Sequence, residues 1–270
     1  MLTKASAGYN VIYFEEPEFG DTTSATMRIS APTSAIRVVT PVLPKGTDAA
    51  AAVSMQRRLV DELLQTARPY ERLLVWHYTP MALPFSAHLP ADVRVYDCMD
   101  ELSAFKNPPA GLVDMEKALF SSADLVFTGG RSLYAAKRQC HPRVCAFPSS
   151  IDAPHFNRAR RAIDDPADQA QIPHPRIGFF GVIDERMDLT LVAQAAKELP
   201  ECQFVMLGPV VKIDEASLPQ ARNLHWLGGK SYDELPAYMA NWTAGWMPFA
   251  LNESTRYISP TKTPEFLAAG

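Results

Sequence analysis

Apolar residues along this chain follow two alternating patterns. Short runs rich in β-branched and aromatic residues occur at 11–14, 36–40, 73–76, 93–96, 125–128 and 144–147, and again at 176–181, 204–207, 223–226 and 245–248. Most of these runs are continuous rather than alternating. That suits strands covered on both faces of a parallel sheet. Between them, apolar residues recur at helical spacing: Leu59, Val60, Leu63, Leu64 and Ala67; Leu112, Met115 and Leu119; Leu189, Val192, Ala196 and Leu199. Strands alternating with helices predict βαβ units and an α/β fold with helices on both sides of parallel sheets.

One break interrupts the alternation. Residues 153–175 carry four prolines, mixed charge and weak apolar periodicity, and read as an inter-domain linker. The expected organisation is an N-terminal α/β domain over 1–152, the linker, and a C-terminal α/β domain over 176–270. In such sheets a ligand cleft is expected at the carboxyl ends of the strands. Residues 1–8 resemble the tail of a helix that a preceding strand would normally feed. The final TPEFLAAG reads as a helix stopping at Gly270, a residue suited to a helix C-terminus. Both domains are therefore expected to be incomplete.

Composition narrows the class. The 270 residues are 47% hydrophobic and 21% charged, with a net charge of −4, which is ordinary for a globular protein with a real core. Without a basic excess, nucleic acid is not an expected partner. No run of about 18 apolar residues is present to span a membrane, and no secretory signal pattern opens the chain. The four cysteines, Cys98, Cys140, Cys145 and Cys202, lack CxxC spacing, and the histidines lack HxxxH spacing, so no metal site is expected. The thiols read as reduced and cytosolic.

Four segments can carry chemistry. In 248–270 a strand end leads through a polar loop into a helix, with Thr263 as expected N-cap and Pro264 at the first helical position. Such a helix start, with Lys262 beside it, suits a phosphate; it equally suits a solvated lysine and a glutamate, Glu265, complementing the helix dipole. In 177–188 a strand ends at Gly181, where glycine allows close backbone approach, though neither a dinucleotide fingerprint nor a Walker loop is present. The third is 147–156. In the fourth, 94–102, three carboxylates lie within five residues: Asp97, Asp100 and Glu101. Asp97 and Asp100 can share an active-site mouth, or Asp100 can simply cap a helix. His77 follows another strand.

In order along the chain, TGGRSLYAAKRQCHPRV, PSSIDAPHF, RIGFFGVIDERMDL, FVMLGP, NLHWLGGKSYDELPAYMA, GWMPF and SPTKTPEFLAAG resemble the segments of GT-B glycosyltransferases of the large family 4 (group 1) type. PSSIDAPHF is similar to that family's PNGVD segment closing the first domain, and SPTKTPEFLAAG to its donor-site loop and helix. The resemblance spans most of the chain. It implies two Rossmann-like domains facing a cleft, and transfer of a sugar from a nucleotide diphosphate sugar to an acceptor hydroxyl, generally with retention and without metal. No cofactor beyond the donor substrate is implied. It also implies that this chain is an internal piece of a longer transferase or a degenerate copy; a non-catalytic nucleotide-sugar-binding module is the alternative. A phosphate-sugar isomerase or epimerase would share the architecture.

Site residues carry over position by position. Glu265 aligns with the second glutamate of the family's pair, which binds the nucleotide ribose; Tyr257 replaces the first, leaving Asn252 or Glu253 as substitutes. Val182 stands where an arginine is usual, and Met187 where a lysine is usual, with Arg186 one residue away. The leaving diphosphate needs positive charge, so Lys262 and Arg186 are its expected clamp. Gly181, Gly229, Lys230, Ser259, Thr261, Lys262 and Glu265 form the expected donor set, with the loop at Gly229, Lys230 and Ser231 reading the base. Lys262, Arg186 and Asp97 are the expected catalytic residues. Tyr96-Asp97 corresponds to the family's acceptor-side His-Asp pair, and His77, Tyr96, Asp97 and Asp100 are the expected acceptor-side residues. Acceptors of this family are often cell-envelope polysaccharides or lipid-linked sugars, which implies a cytoplasmic protein with at most peripheral contact at the inner membrane face.

Overall fold

The computed structural model describes residues 8–105, 107–148 and 150–270, and the side chains of Glu253 and Ser254 are outside the description. The helix tail expected over residues 1–8 falls almost wholly outside the described residues. The strands are β1 (Val11–Phe14), β2 (Glu18–Gly20), β3 (Thr26–Thr33), β4 (Ile36–Pro44), β5 (Leu74–His77), β6 (Val93–Cys98), β7 (Leu125–Thr128), β8 (Val144–Ala146), β9 (Arg176–Phe180), β10 (Gln203–Leu207), β11 (Leu224–Trp226) and β12 (Ala244–Gly245). The helices are α1 (Ala49–Thr66), α2 (Leu83–Ser86), α3 (Leu112–Ser122), α4 (Arg131–Lys137), α5 (Ala153–Phe156), α6 (Leu189–Glu198), α7 (Leu235–Met239), α8 (Glu253–Arg256) and α9 (Lys262–Ala269).

Three four-stranded sheets result. One joins β1, β4 and β2 in that order with β3 on β4; one runs β5-β6-β7-β8; one runs β11-β10-β9-β12. The last is parallel at each pairing, with Phe204 opposite Ile177 and Leu224, and Gly245 opposite Gly178. The first is mixed, because β3 runs antiparallel to β4. β2 and β3 are not among the predicted strands; seven of the eight β3 residues, all but Met27, are exposed. Met27, Ile29 and Ala31 alternate with polar residues, but only Met27 packs on the core, and the strand lacks the continuous apolar run of the buried strands.

The chain divides into two compact units, Met1–Asp97 with Pro109–Val126, and Cys98–Pro108 with Phe127–Gly270. In the first, Leu43, Ala52 and Leu59 form a core between β4 and α1, which Asp48 caps by accepting from the Ala51 amide at 2.8 Å. In the second, two clusters cover opposite faces of the parallel sheet. Phe179, Ile183, Val192, Phe204 and Met206 lie on the α6 side; Phe156, Phe180, Val205, Leu207 and Tyr238 lie on the other. The alternation of Phe179 with Phe180, and of Val205 with Met206, follows the period-2 geometry of a strand buried on both faces.

The segment expected as a linker is part of this second core. Phe156, Ala159 and Ile172 are buried in it, and Gln169 is 0% exposed. Arg176, also buried, pairs with both oxygens of Asp165 at 2.8 Å and donates to the Ile172 carbonyl. Asp165 also accepts from Gln169 and Asn241. A few isolated apolar anchors and a polar network do the packing, so no periodicity marks the segment.

Candidate functional site

The carboxyl ends of β9, β10 and β11 carry Gly181, Gly208 and Gly228, all at positive φ of 137°, 147° and 71°. The amide of Gly181 donates to Leu207 at 2.9 Å, and that of Gly208 to Gly228 at 2.8 Å. A Cβ on Gly208 would overlap the Gly181 carbonyl, and one on Gly181 would collide with Cε and Nζ of Lys262. Only glycine lets these strand ends close on one another and on the lysine.

Helix α9 supplies that lysine. The helix begins at Lys262 with Thr261 as its N-cap, one turn-half earlier than the sequence implies; Thr263 lies inside the first turn. Pro264 is tolerated there because amides in the first turn have no helical partner. The α9 residue Phe266 packs edge-on against Phe180 at 5.4 Å, and a Cβ on Gly245 would strike its ring. Arg160 donates to the carbonyls of Leu267 and Ala268, each at 2.8 Å, closing the carboxyl end of the helix. Lys262 Nζ thereby sits 5.8 Å from the ring centre of Phe179 and 5.7 Å from that of Phe180. Burial lowers its pKa, opposed by the charge of Glu265. Burial raises the pKa of Glu265, opposed by Lys262 and by His155.

A cavity of about 210 Å³ opens beside Lys262, lined by second-unit residues that include Asp100, Arg186, Ser259 and Thr261. The Arg186 pKa is raised above its usual value by its bond to Asp184. Asp100 is held above the usual aspartate range by burial, against the pull of Arg186. Ser259 packs closely on Gly130. Lys262, Arg186, Ser259, Thr261 and Asp100 thus meet on one cavity, with Gly181 behind the lysine.

The remaining expected residues are placed elsewhere. Lys230 is paired with Asp168 at 2.6 Å and lies 5.5 Å from the Tyr238 ring; Gly229 packs near Pro209. Asn252 caps α8 by accepting from Thr255, and Tyr257 is the C-cap of that helix. In the first unit, His77 is 2% exposed, its Nε2 bonded to Ser86 Oγ at 2.9 Å, and burial depresses its pKa to about 4. Tyr96 is buried against Phe120 and donates to Glu116. Asp97 accepts from the Trp76 indole at 3.2 Å, and burial raises its pKa. Asp97 and Asp100 therefore belong to different units, and Asp97, His77 and Tyr96 are bonded inside the first. Asp100's neighbour Glu101 is paired with Lys137 at 2.8 Å.

Two features are absent from the sequence reading. His155 stacks on Tyr232 with ring centres 4.2 Å apart at 13°, and its Nε2 meets the Tyr232 carbonyl at 2.9 Å. Both rings lie within electrostatic reach of Glu265. The second is Asp184, bonded to Arg186. The stacked pair has no local sequence signal, because His155 and Tyr232 lie far apart in the chain; Asp184 lies two residues from Arg186 in the loop after β9, and that spacing alone does not show the pairing.

No family model matches the chain. A relative from Bacillus subtilis (strain 168), named "Putative teichuronic acid biosynthesis glycosyltransferase TuaH", is 25% identical over 228 residues, covering 78% of this chain and 57% of the relative. The chain thus spans a little over half the length of that relative. Among solved structures, sucrose-phosphate synthase from Thermosynechococcus elongatus superposes with a TM-score of 0.63 at 13% identity, covering 92% of this chain and 69% of that one. The catalytic domain of starch synthase IV from Arabidopsis thaliana, bound to ADP and acarbose, gives 0.57 at 10% identity, covering 91% and 79%. With its parallel α/β sheets and these neighbours, the chain has the GT-B glycosyltransferase fold.

Proposed function

We propose that this chain takes part in moving a sugar from a nucleoside diphosphate sugar to an acceptor hydroxyl. One observation carries the reading: Lys262 and Arg186 converge on a single cavity at the glycine-built strand ends of a GT-B fold. Breaking the bond from the anomeric carbon to the diphosphate leaves negative charge on the leaving oxygen. A lysine and an arginine fixed beside that oxygen stabilise the charge more in the transition state than in the ground state, which is what accelerates the step. In this proposal side chains supply that charge, with no metal or further cofactor. Ser259 and Thr261 offer hydroxyl donors to the phosphates. Glu265 accepts the ribose hydroxyls, and the loop at Gly229 and Lys230 faces the base. The family resemblance favours retention of configuration.

The TuaH relative's name supports a cell-envelope saccharide, free or lipid-linked, as acceptor. No described helix is long and apolar enough to cross a membrane, and we propose cytoplasmic work with peripheral membrane contact. The test is incubation of the chain with radiolabelled nucleoside diphosphate sugars, following release or transfer of label. Turnover that falls about a hundredfold in Lys262→Ala supports the reading. Tight donor binding without any turnover would replace it with a nucleotide-sugar-binding module.

A further inference from the structure

Arg186 lines the cavity beside Lys262, and its side chain is held by the loop that carries it. The loop from Gly181 to Asp188 is stitched on both sides. Ile183 bonds to Pro209 and Val211, Asp188 donates to Pro248, and Ala250 donates to the Arg186 carbonyl at 2.8 Å. Within it, Asp184 is 7% exposed. Its carboxylate accepts from the Arg186 backbone amide at 3.0 Å, from Nε at 2.9 and 3.0 Å, and from one terminal nitrogen at 2.7 Å. The Phe249 ring lies 6.0 Å from the guanidinium carbon. Among the described residues the other terminal nitrogen makes no hydrogen bond, while Arg186 lines the cavity. A guanidinium gripped along one edge by a carboxylate presents its remaining donors in a fixed plane, which a free arginine would have to be ordered to do.

We propose that Asp184 is a positioning residue: it holds Arg186 so that the free edge of the guanidinium meets the diphosphate in the cavity. This inference rests on the donor-site reading above. Asp184 also places a negative charge behind the arginine, so its removal both loosens the guanidinium and relieves repulsion of the ligand. The two effects separate in a double-mutant cycle. With Arg186 present, Asp184→Asn loses the grip and relieves the repulsion. With Arg186→Ala, only the relief remains.

The experiment measures affinity for uridine, adenosine and guanosine diphosphate by calorimetry, in the unaltered chain, Asp184→Asn, Arg186→Ala and the double variant. The matching nucleosides serve as phosphate-free controls, and near-ultraviolet circular dichroism checks folding. For the diphosphate that binds, Asp184→Asn should be about tenfold less favourable in the presence of Arg186 than in its absence, as expected for one charge-assisted contact. For the nucleoside the two backgrounds should agree within twofold. Equal effects in both backgrounds, or equal coupling for nucleoside and diphosphate, would overturn the positioning role and leave the donor site standing. If no diphosphate binds the unaltered chain, the donor-site reading and this inference fall together. Should Asp184→Asn fail to fold, Asp184→Glu replaces it; that variant keeps the charge and shifts the grip, so a loss of diphosphate affinity confined to the Arg186 background again supports the proposal, and its absence overturns it.

Discussion

Replacing Lys262 by methionine separates the cost of a buried charge from its use. The ammonium sits over two aromatic faces and against Gly181, and burial already lowers its pKa. Methionine preserves the length and the contacts of the stem. The lost cation–π attraction is worth about 0.5–2 kcal/mol, and the relieved desolvation of the charge offsets much of it. Stability should therefore change by about 1 kcal/mol or less, a shift of roughly 4 °C at most in melting temperature for a chain of this size. Ligand binding has no such compensation. A charge-assisted contact to phosphate is worth about 1.5–3 kcal/mol, or roughly 10- to 150-fold in affinity. Turnover should fall further than affinity, because charge grows on the leaving oxygen as the bond breaks. Calorimetry with nucleoside diphosphates and single-turnover transfer of labelled sugar measure the two quantities. A variant that melts normally, binds diphosphate within twofold of the unaltered chain and keeps its turnover would refute the assignment of Lys262 to the diphosphate.

Gly208→Ala should destabilise the chain by about 2–3 kcal/mol or more, since its φ of 147° is strained for any side chain and a Cβ would overlap the Gly181 carbonyl; urea unfolding measures this. Asp165→Ala should cost about 3–5 kcal/mol in the same assay, because it leaves the guanidinium of Arg176, 2% exposed, without its carboxylate. His77 gives a pH signature. Its folded pKa of about 4 lies below the unfolded value of 6.5, so the unfolded chain binds the extra proton between those values. Its contribution is fully present above pH 6.5 and declines as pH falls towards 4, by roughly 3 kcal/mol in total. His77→Gln should flatten that part of the stability–pH curve, and an unchanged slope would remove the assignment.

How much of this was legible in the sequence depended on how each residue is packed. β9 and β10 were readable because both of their faces are buried, so Phe179, Phe180, Phe204 and Val205 form unbroken apolar runs. β3 was not, because its alternation of Met27, Ile29 and Ala31 with polar residues is short and, Met27 apart, lies on exposed positions. Residues 153–175 looked like a linker because Phe156, Ala159 and Ile172 are isolated anchors, and the rest of the packing is polar. The α9 helix was visible from its composition, but its start was not, since Thr261 caps it without a side-chain bond. Gly181 and Lys262 were legible as candidates, and their contact was not. It depends on positive φ at Gly181 and on Phe266 seating α9 against the sheet. His77 resembles an active-site residue because it follows the apolar run 73–76, and Tyr96 because it aligns with the resembled family's acceptor-side pair, yet their polar atoms serve internal bonds to Ser86 and Glu116. Spacing along a strand cannot distinguish a residue at its mouth from one folded beneath it.

The central claim is that Lys262 holds a diphosphate beside Gly181. A crystal structure of the chain with the nucleoside diphosphate that binds it most tightly tests this directly. Phosphate oxygens are expected about 3 Å from Lys262 Nζ, with the Arg186 guanidinium on the same cavity. A diphosphate bound elsewhere on the chain, with Lys262 still resting between Phe179 and Phe180, would contradict it.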